Sequence, residues 1–289
     1  MRIRQGALWY IVGALFVLCA SVWSFAYAEA PHAPGTLTFA VLDVGQGDAL
    51  YIDSPTGVQV LVDGGPGSAL LRALPGVMPY GDRSLNAVVA THPDADHIGG
   101  LLDLLERYEV EAFISPGITK DTATAQELEE RVDQKEIPRI VARRGMVLEL
   151  GGGAQLRILY PDHDVSRLVS SKTNEGGVVM QLVYGQTEAL LMADVGHGVE
   201  AHLLQTDGEM LESDILKVGH HGSKNSTGAA FVRAVSPAVA IISVGANNTY
   251  GHPTAEALGV LGRAGADILR TDQGGTVVCS SDGQRFSCE

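Results

Sequence analysis

The sequence predicts an α/β protein (α+β, with mixed sheets). Short apolar segments come first in hairpin order, separated by glycine-rich turns, and later segments alternate with helices. Strands in that order give sheets with both antiparallel and parallel neighbours. With 45% hydrophobic and 19% charged residues among 289, the chain can bury a full core. Because no change of composition follows residue 36, we expect one domain over residues 36–289.

Strand and helix signals follow closely along that domain. The apolar strand segments are, in order, TLTFAVLDV, ALYIDS, VQVLVDGG, LNAVVAT, EAFISP, AQLRILYP, GVVMQLVYG, EALLMADV, DILKVGHHGS and AVAIISVG. Apolar residues at helical spacing predict helices over Ser68–Leu74, Gly99–Tyr108, Asp121–Gln134, Val199–Gln205 and Thr254–Arg263, and one from Ser226. A predicted hairpin closes the chain.

The closing hairpin carries two cysteines. Cys279 and Cys288 flank the segment SSDGQRFS, in which a turn at Gly283 and Gln284 would set them opposite each other. In an oxidising compartment such a pair can form a disulfide. Two free thiols in neighbouring strands are the alternative.

Residues 1–28 are predicted to be an export signal or an N-terminal membrane anchor. Arg2 and Arg4 precede an uncharged run that is long enough to span a bilayer, and Ala-Tyr-Ala at its end suits signal cleavage. With the basic end held in the cytoplasm, both alternatives place the rest of the chain outside the cytoplasmic membrane, secreted or anchored. Residues 29–35, with two prolines, form a short linker.

The charge balance restricts the partners. The chain has 20 basic and 34 acidic residues, a net charge of −14. A charge of that sign repels polyanions and argues against tight, non-specific nucleic-acid binding through phosphate neutralisation. A metal site could still hold one phosphate, because a bound cation inverts the local field. No protein partner can be predicted.

Aspartate and histidine recur where apolar strands end. The segments are VLDVGQGDA, VLVDGG, VVATHPDADH, LLMADVGH and ILKVGHHG. Strand ends on one edge of a sheet converge in space, and Asp and His are poor core residues. A single case would be an ordinary loop residue, but five cases with glycine beside them predict a divalent-metal site.

The motifs themselves resemble a known family. THPDADHIGG resembles the His-x-His-x-Asp-His signature of the metallo-β-lactamase superfamily, with Asp94 in place of the second histidine. LDVGQGDA, LKVGHHGS and GANNTYGHP are similar to the metallo-hydrolase domain of ComEC-type DNA-uptake proteins, here expected in a stand-alone form because one apolar segment replaces their channel. The resemblance implies an αββα sandwich with two divalent metal ions at the edge between its sheets.

The resemblance also implies a ligand set. His92 and Asp94 would hold one ion, Asp96 and His97 the other, and Asp194 would bridge them. The last ligand falls in the pair His220 and His221. We favour His221, which precedes glycine as in the family, and expect strand neighbours to point to opposite faces unless the strand has turned.

One side of this predicted centre is rich in oxygen donors. The histidine expected between the first motif and Asp194 is absent, so Asn174 or a water would fill its place, with His163 a weak substitute. Carboxylates in place of imidazoles shift preference from Zn²⁺ toward Mn²⁺ or Mg²⁺. We therefore expect two ions, zinc or manganese, with magnesium as a third candidate.

Further residues receive predicted roles. Two metal ions lower the pKa of a water, which attacks as hydroxide, with Asp96 and His220 as the catalytic residues and His220 as proton donor to the leaving group. Asp63 would orient a ligand histidine; Asp43 and Asp48 would do likewise or simply form turns. The candidate substrate-binding residues, for which ordinary capping and turn roles are the alternative, are Ser223, Asn225, Asn248, Tyr250 and His252.

Three functions stay open at this point. The first is an extracytoplasmic metal-dependent phosphodiesterase or nuclease, with DNA among its substrates. The second is hydrolysis of a small ester, lactone, lactam or cell-wall phosphorylcholine-type substituent, which the acidic charge favours. The third is a non-catalytic surface module that kept its metal.

Overall fold

The computed structural model describes residues 35–289, so the predicted signal or anchor over residues 1–28 lies outside the described residues. The strands are β1 Leu37–Val41, β2 Leu50–Asp53, β3 Gln59–Val62, β4 Ser84–Leu85, β5 Ala87–Val89, β6 Glu109–Val110, β7 Phe113–Ser115, β8 Arg139–Val141, β9 Val147–Gly151, β10 Ala154–Tyr160, β11 Val179–Tyr184, β12 Thr187–Leu191, β13 Ile215–Lys217, β14 Val239–Ile242, β15 Asp267–Arg270, β16 Val277–Ser281 and β17 Phe286–Cys288.

The α-helices of the described part lie between these strands. They are α1 Ala69–Ala73, α2 Ala95–Arg107, α3 Ala123–Gln134, α4 His197–Thr206, α5 Ala229–Val235, α6 Ala255–Ala264 and α7 Thr271–Gly274. Thr122 and Thr254 cap α3 and α6, and each side chain accepts a backbone N–H bond from the third residue that follows. None of the helices in residues 35–289 is long and apolar enough to cross a bilayer.

Two mixed sheets hold nearly all the strands. The first has the order β17-β16-β1-β2-β3-β5-β7-β8, antiparallel as far as β3 and parallel from β3 to β8. The second has the order β15-β14-β13-β12-β11-β10-β9, with β12 to β15 parallel. The expected combination of hairpins and parallel neighbours is confirmed.

Three apolar cores separate four layers. In β3, Val60 and Val62 belong to the core between the sheets, while Leu61 belongs to the core beneath α1, α2 and α3. A third core packs the second sheet against α4, α5 and α6 through residues such as Leu203 and Phe231. Alternation of side chains along a strand supplies the two faces that this stacking needs. The αββα sandwich is thus confirmed.

Helix α2 differs from its prediction in a way that shapes the site. It begins at Ala95 and not at Gly99, because Asp94 takes an extended N-cap conformation and its carbonyl accepts the N–H groups of His97 and Ile98. A Cβ added at Gly100 would lie 2.1 Å from the Gly64 carbonyl oxygen, so glycine lets α2 approach the loop after β3. Asp96 and His97 therefore stand on the first turn of a helix, not in a loop.

Candidate metal centre

Four side chains converge at the edge between the two sheets. Asp96, His97, Asp194 and His221 each offer one ligand atom, all within 4.8 Å of one another, and we call them the four-ligand cluster. His97 Nε2 lies 3.4 Å from Asp194 Oδ1, and His221 Nε2 lies 3.5 Å from Asp194 Oδ2 and 3.6 Å from Asp96 Oδ2. The elements that meet here are α2, the loop after β12 and the turn after β13.

The donor atoms of the cluster fit a cation. His97 Nε2, Asp194 Oδ1 and His221 Nε2 are buried and have no hydrogen-bond partner. Buried polar atoms almost always have a partner, so three such atoms aimed at one point imply a missing one. Two imidazole nitrogens with two carboxylates form a donor set that suits zinc, manganese or iron. His92 Nε2, from the neighbouring turn, is likewise buried without a partner.

Asp63 fixes the orientation of His97. Its Oδ2 lies 2.8 Å from His97 Nδ1, and its two oxygens also accept the backbone N–H and the hydroxyl of Thr91. A carboxylate on Nδ1 leaves Nε2 free to bind metal, the usual arrangement around ligand histidines. Asp63 therefore lies against His97 Nδ1, and its role in orienting a metal-bound His97 stays a prediction.

The paired histidines follow a turned strand end. Strand β13 ends at Lys217, and both His220 and His221 have positive φ, 50° and 53°, within a short 3₁₀ turn. His221 is buried, with Nδ1 3.0 Å from the Ser243 carbonyl and Nε2 in the cluster. His220 lies at the rim, where its Nε2 is 3.8 Å from Asp194 Oδ2 and its side chain is 26% exposed.

A buried ion pair supports the cluster from beneath. Lys217 Nζ lies 2.5 Å from Asp48 Oδ2, and the other oxygen of Asp48 lies 3.4 Å from His221 Nδ1. Lys217 and Asp48 are each about 99% buried and join the two sheets. Sequence reasoning missed Lys217, although a lysine inside the apolar strand segment ILKV was a signal that could have found it.

The field inside the cluster favours positive charge. Burial alone would lower the pKa of His221, but Asp194 and Asp48 outweigh it and raise the pKa to about 10. Burial also lowers the pKa of His97, but the negative charges of Asp194 and Asp63 outweigh it and raise the pKa well above its usual value. His92 differs, because burial and the neighbouring His97 lower its pKa. The carboxylates that stabilise the protonated histidines would stabilise a metal cation in the same place.

The His92–Asp94 side of the centre, as we call it, is organised differently. The His92 ring lies 4.0 Å from that of His97, but Asp94 Oδ1 is 2.9 Å from Lys120 Nζ and accepts a 2.6 Å hydrogen bond from Thr173. The residue that bonds to Asp94 from this segment is Thr173, next to Asn174, whose predicted place in the ligand set stays a prediction. Neither Lys120 nor Thr173 was foreseen. His163, the weak substitute ligand, lies at the surface with its Nδ1 2.8 Å from Asp162 Oδ1.

Two of the other predicted residues serve turns. Asp43 is exposed, and its carboxylate accepts the N–H of Gly45. Asn248 binds the backbone of its own loop through both ends of its amide, including the N–H and carbonyl of His252. Of the two aspartates considered for orienting a ligand histidine, Asp48 is the one that lies beside such a histidine, His221.

Ser223, Asn225, Tyr250 and His252 surround the turn that carries His220. Ser223 is buried and its hydroxyl accepts the N–H of Asn225. Tyr250 and His252 stack at 5.9 Å between ring centroids, and the His252 ring stands 5.8 Å from that of His220. A row of three rings thus leads from Tyr250, which is 68% exposed, to the edge of the cluster.

A sequence profile described as the metallo-beta-lactamase superfamily matches residues 42–246, more than half of the chain. The chain belongs to this superfamily, whose members are mostly hydrolases. The match spans the loop after β1, the whole of α2 and the turn of His220 and His221. It therefore covers all the residues of the four-ligand cluster.

Relatives with competence-related names confirm the resemblance that the motifs indicate. The chain is 32% identical to ComE operon protein 3 of Bacillus subtilis over 82% of its length, and 28% identical to Competence protein ComA of Neisseria gonorrhoeae over 90%. It spans only about a third of each relative, 32% and 34%. Among solved structures, the metallo-beta-lactamase fold protein YhfI from Bacillus subtilis matches with a TM-score of 0.55 at 15% identity, covering 85% of this chain and 99% of that one. That likeness shows the fold.

Proposed function

We propose that this chain is an extracytoplasmic, metal-dependent phosphodiesterase, with short DNA strands among its substrates. The observation that carries the proposal is the four-ligand cluster with its unpartnered, buried donor atoms. The residues that would hold one divalent ion are those of the four-ligand cluster, and His92, Asp94 and Asp194 are the residues proposed to hold a second. When bound, such ions supply Lewis acidity toward a phosphoryl oxygen and toward water.

The protein's own residues supply the remaining chemistry. His220 Nε2 faces Asp194 at 3.8 Å from the open side of the centre, where it can give a proton to a departing alkoxide. His252, whose Nδ1 is buried without a hydrogen-bond partner, stands behind it as a second proton carrier. The buried ligands, Asp194 among them, keep water from the inner side of the centre.

The row of rings favours a nucleotide over a small acyl group. Every nucleobase has a face that can stack on an aromatic ring, independent of sequence. Tyr250 offers such a face, since its other side is covered by His252. Competence-related names among the relatives support the same substrate class. The charge of −14 opposes long polyanions, so short single strands suit the site best.

The proposed location outside the cytoplasm has two supports. It rests on the basic start and uncharged run in residues 1–28 and on the disulfide between Cys279 and Cys288. Fractionation of cells that produce the full chain would test it. Recovery in the cytoplasm with both thiols free would contradict this part and leave the chemistry standing.

Hydrolysis tests the chemistry directly. Metal-depleted protein is reloaded with Mn²⁺, Mg²⁺ or Zn²⁺ and offered methyl p-nitrophenyl phosphate, p-nitrophenyl acetate and a chromogenic lactam. We expect turnover of the diester, its loss in Asp194→Asn and its retention in Asp43→Asn, an exposed aspartate used as the matched control. Turnover of the ester or lactam alone would favour hydrolysis of a small ester or lactam, the alternative that the acidic charge of the chain supports. Metal binding without any turnover would identify a non-catalytic module.

The nucleotide preference has its own test. Thymidine 5′-(p-nitrophenyl phosphate) carries a base that methyl p-nitrophenyl phosphate lacks. Tyr250→Ala should lower kcat/KM for the thymidine ester by roughly 5- to 100-fold, the value of one stacked base, and leave the methyl ester unchanged. Tyr250→Phe should behave as the parent protein. Equal losses on both substrates would contradict a base-stacking role.

A further inference from the structure

The carboxylate of Asp94 already has a cation. Lys120 Nζ lies 2.9 Å from Asp94 Oδ1, and Thr173 Oγ1 donates to the same oxygen at 2.6 Å. Asp94 is the N-cap residue of α2, yet its side chain makes no capping hydrogen bond. Its position is therefore set by Lys120 and Thr173 and not by the helix. This pairing also gives a reason for aspartate at a place where histidine is usual, since a neutral imidazole would not attract an ammonium group.

Lys120 is held at this position by its surroundings. It follows β7, on the edge of the first sheet where the centre lies, and its side chain is only 19% exposed. Together with His92 it lines a cleft of about 410 Å³ whose floor includes Phe113 and Ile118. A half-buried ammonium beside a carboxylate is screened less than a surface pair.

The four-ligand cluster contrasts with this arrangement. Within residues 35–289, the ion pairs of Asp96 and Asp194 are with histidines and not with lysine or arginine. A metal ion can replace protons on histidines. On the His92–Asp94 side, a metal ion would have to displace the ammonium group of Lys120 from Asp94.

We propose that Lys120 is a built-in competitor of the second metal ion. Its ammonium neutralises Asp94, so one ion binds tightly in the four-ligand cluster and the second binds weakly, only after Lys120 has been displaced. The inference rests on the proposed metal centre but not on its hydrolytic activity. A displaced Lys120 would remain in the cleft beside His92, where its charge can meet an anionic substrate.

Titration of the metal-depleted full chain with Mn²⁺ tests the inference. Free Mn²⁺ is counted by its magnetic resonance signal, and bound pairs by the appearance of an exchange-coupled spectrum. We expect a first ion in the parent protein and a second at least about 10-fold weaker. Lys120→Met should tighten the second ion roughly 10- to 100-fold by removing one competing charge, and change the first ion less than about twofold. Lys135→Met, at an exposed lysine on another face, is the control.

Two further variants keep the test decisive. Lys120→Gln retains a hydrogen-bond donor toward Asp94 without the charge and should tighten the second ion as Lys120→Met does. Asp94→Asn should remove the second ion in every background. Equal second-ion affinity in the parent and Lys120→Met would overturn the inference, as would loss of the second ion in Lys120→Met. Absence of the tight first ion from the parent protein would overturn the metal centre itself, and the inference with it.

Discussion

The four-ligand cluster and the His92–Asp94 side lie next to each other, and the turn before α2 and the start of that helix contribute residues to both, yet different charges balance them. In the cluster, two carboxylates face histidines whose pKa values are raised, His97 and His221. On the other side, Lys120 and Thr173 satisfy Asp94, and the pKa of His92 is lowered. On one side the carboxylates are balanced by histidine protons that a metal ion can replace, and on the other Asp94 is balanced by a lysine that keeps its charge.

If two ions bind as proposed, this difference would give them unequal affinities even though the ions are chemically similar. Ligand type alone does not decide the outcome, because both sides combine imidazole with carboxylate. The partner of each carboxylate decides the affinity. A histidine can lose its proton and bind the metal, whereas a lysine keeps its charge and competes with the metal. A change on one side of the centre therefore tests whether the other side responds.

The largest effects are expected at the paired histidines. His221→Ala removes a cluster ligand, so the tight ion and the activity should both be lost. His220→Ala should keep the ion and lose rate by roughly 10²–10⁴, the value of a general acid. The loss should be smaller for p-nitrophenyl esters, whose leaving group departs without a proton, than for alkyl diesters. Metal analysis and kinetics on both substrates distinguish the variants.

Two outcomes would reverse or replace this assignment. Metal loss in His220→Ala alone would mean that His220 is the ligand and His221 the proton donor. Equal metal loss in both variants would mean that both imidazoles reach the cluster. The proton donor would then be sought in His252, next to His220 in the row of rings.

The second-largest effect should be a difference between the two ions in how their affinities depend on pH. At neutral pH the raised pKa values leave His97 and His221 protonated in the metal-free protein, so the first ion must displace protons. Its affinity should fall as pH falls, roughly tenfold per pH unit for each proton displaced. The second ion should depend on pH far less, because the lowered pKa leaves His92 neutral.

Calorimetry in buffers of different ionisation heat measures this proton release. Binding of the first ion should show a heat that varies with the buffer, and binding of the second should not. The same pH slope for both ions would contradict the unequal charge balance. A first ion that releases no proton would mean that the cluster histidines are neutral before metal arrives.

The sequence predicted the cluster better than it predicted the charge balance. Asp96, His97 and Asp194 end apolar strand segments or begin the next helix, a local pattern that a single sequence displays. The orienting role of Asp63 followed from the same pattern. Lys120 and Thr173 carried no such signal, because they meet Asp94 from 26 and 79 positions away. Lysine in a loop usually points to water, and only the fold shows otherwise.

Backbone conformation was a second feature that the sequence did not predict. Strand alternation predicted that His220 and His221 point to opposite faces unless the strand has turned. The strand has indeed ended, and both residues adopt the left-handed region, which residues other than glycine rarely enter. Composition offers no warning of this. The predicted start of α2 at Gly99 was also too late, because the polar residues of its first turn do not follow the apolar spacing that indicates a helix.

A smaller effect is expected when Asp94 is replaced. Asp94→His removes the partner of Lys120 and adds a nitrogen donor to the His92–Asp94 side. The second-ion preference for Zn²⁺ over Mn²⁺ should rise about 10-fold, as expected for nitrogen in place of oxygen. The first ion should keep its preference. Asp43→His, at an exposed turn, is the control, and an unchanged second-ion preference would place Asp94 outside the ligand set.

The smallest effect on either side should come from the closing hairpin. Cys279 and Cys288 lie directly opposite each other on β16 and β17 and form a disulfide at the edge of the first sheet. Reduction should lower the free energy of unfolding by about 2–3 kcal/mol, because the bridge restricts the unfolded chain. Both ion affinities should stay unchanged, since β1 separates the hairpin from β2 and the strands that carry the ligands. Thermal unfolding and Mn²⁺ titration with and without reductant measure the two quantities on one sample. A change in the affinity of the tight ion on reduction would mean that a change at the sheet edge reaches Asp48 through β1. The contrast between the two sides would then depend on the whole sheet and not only on local charges.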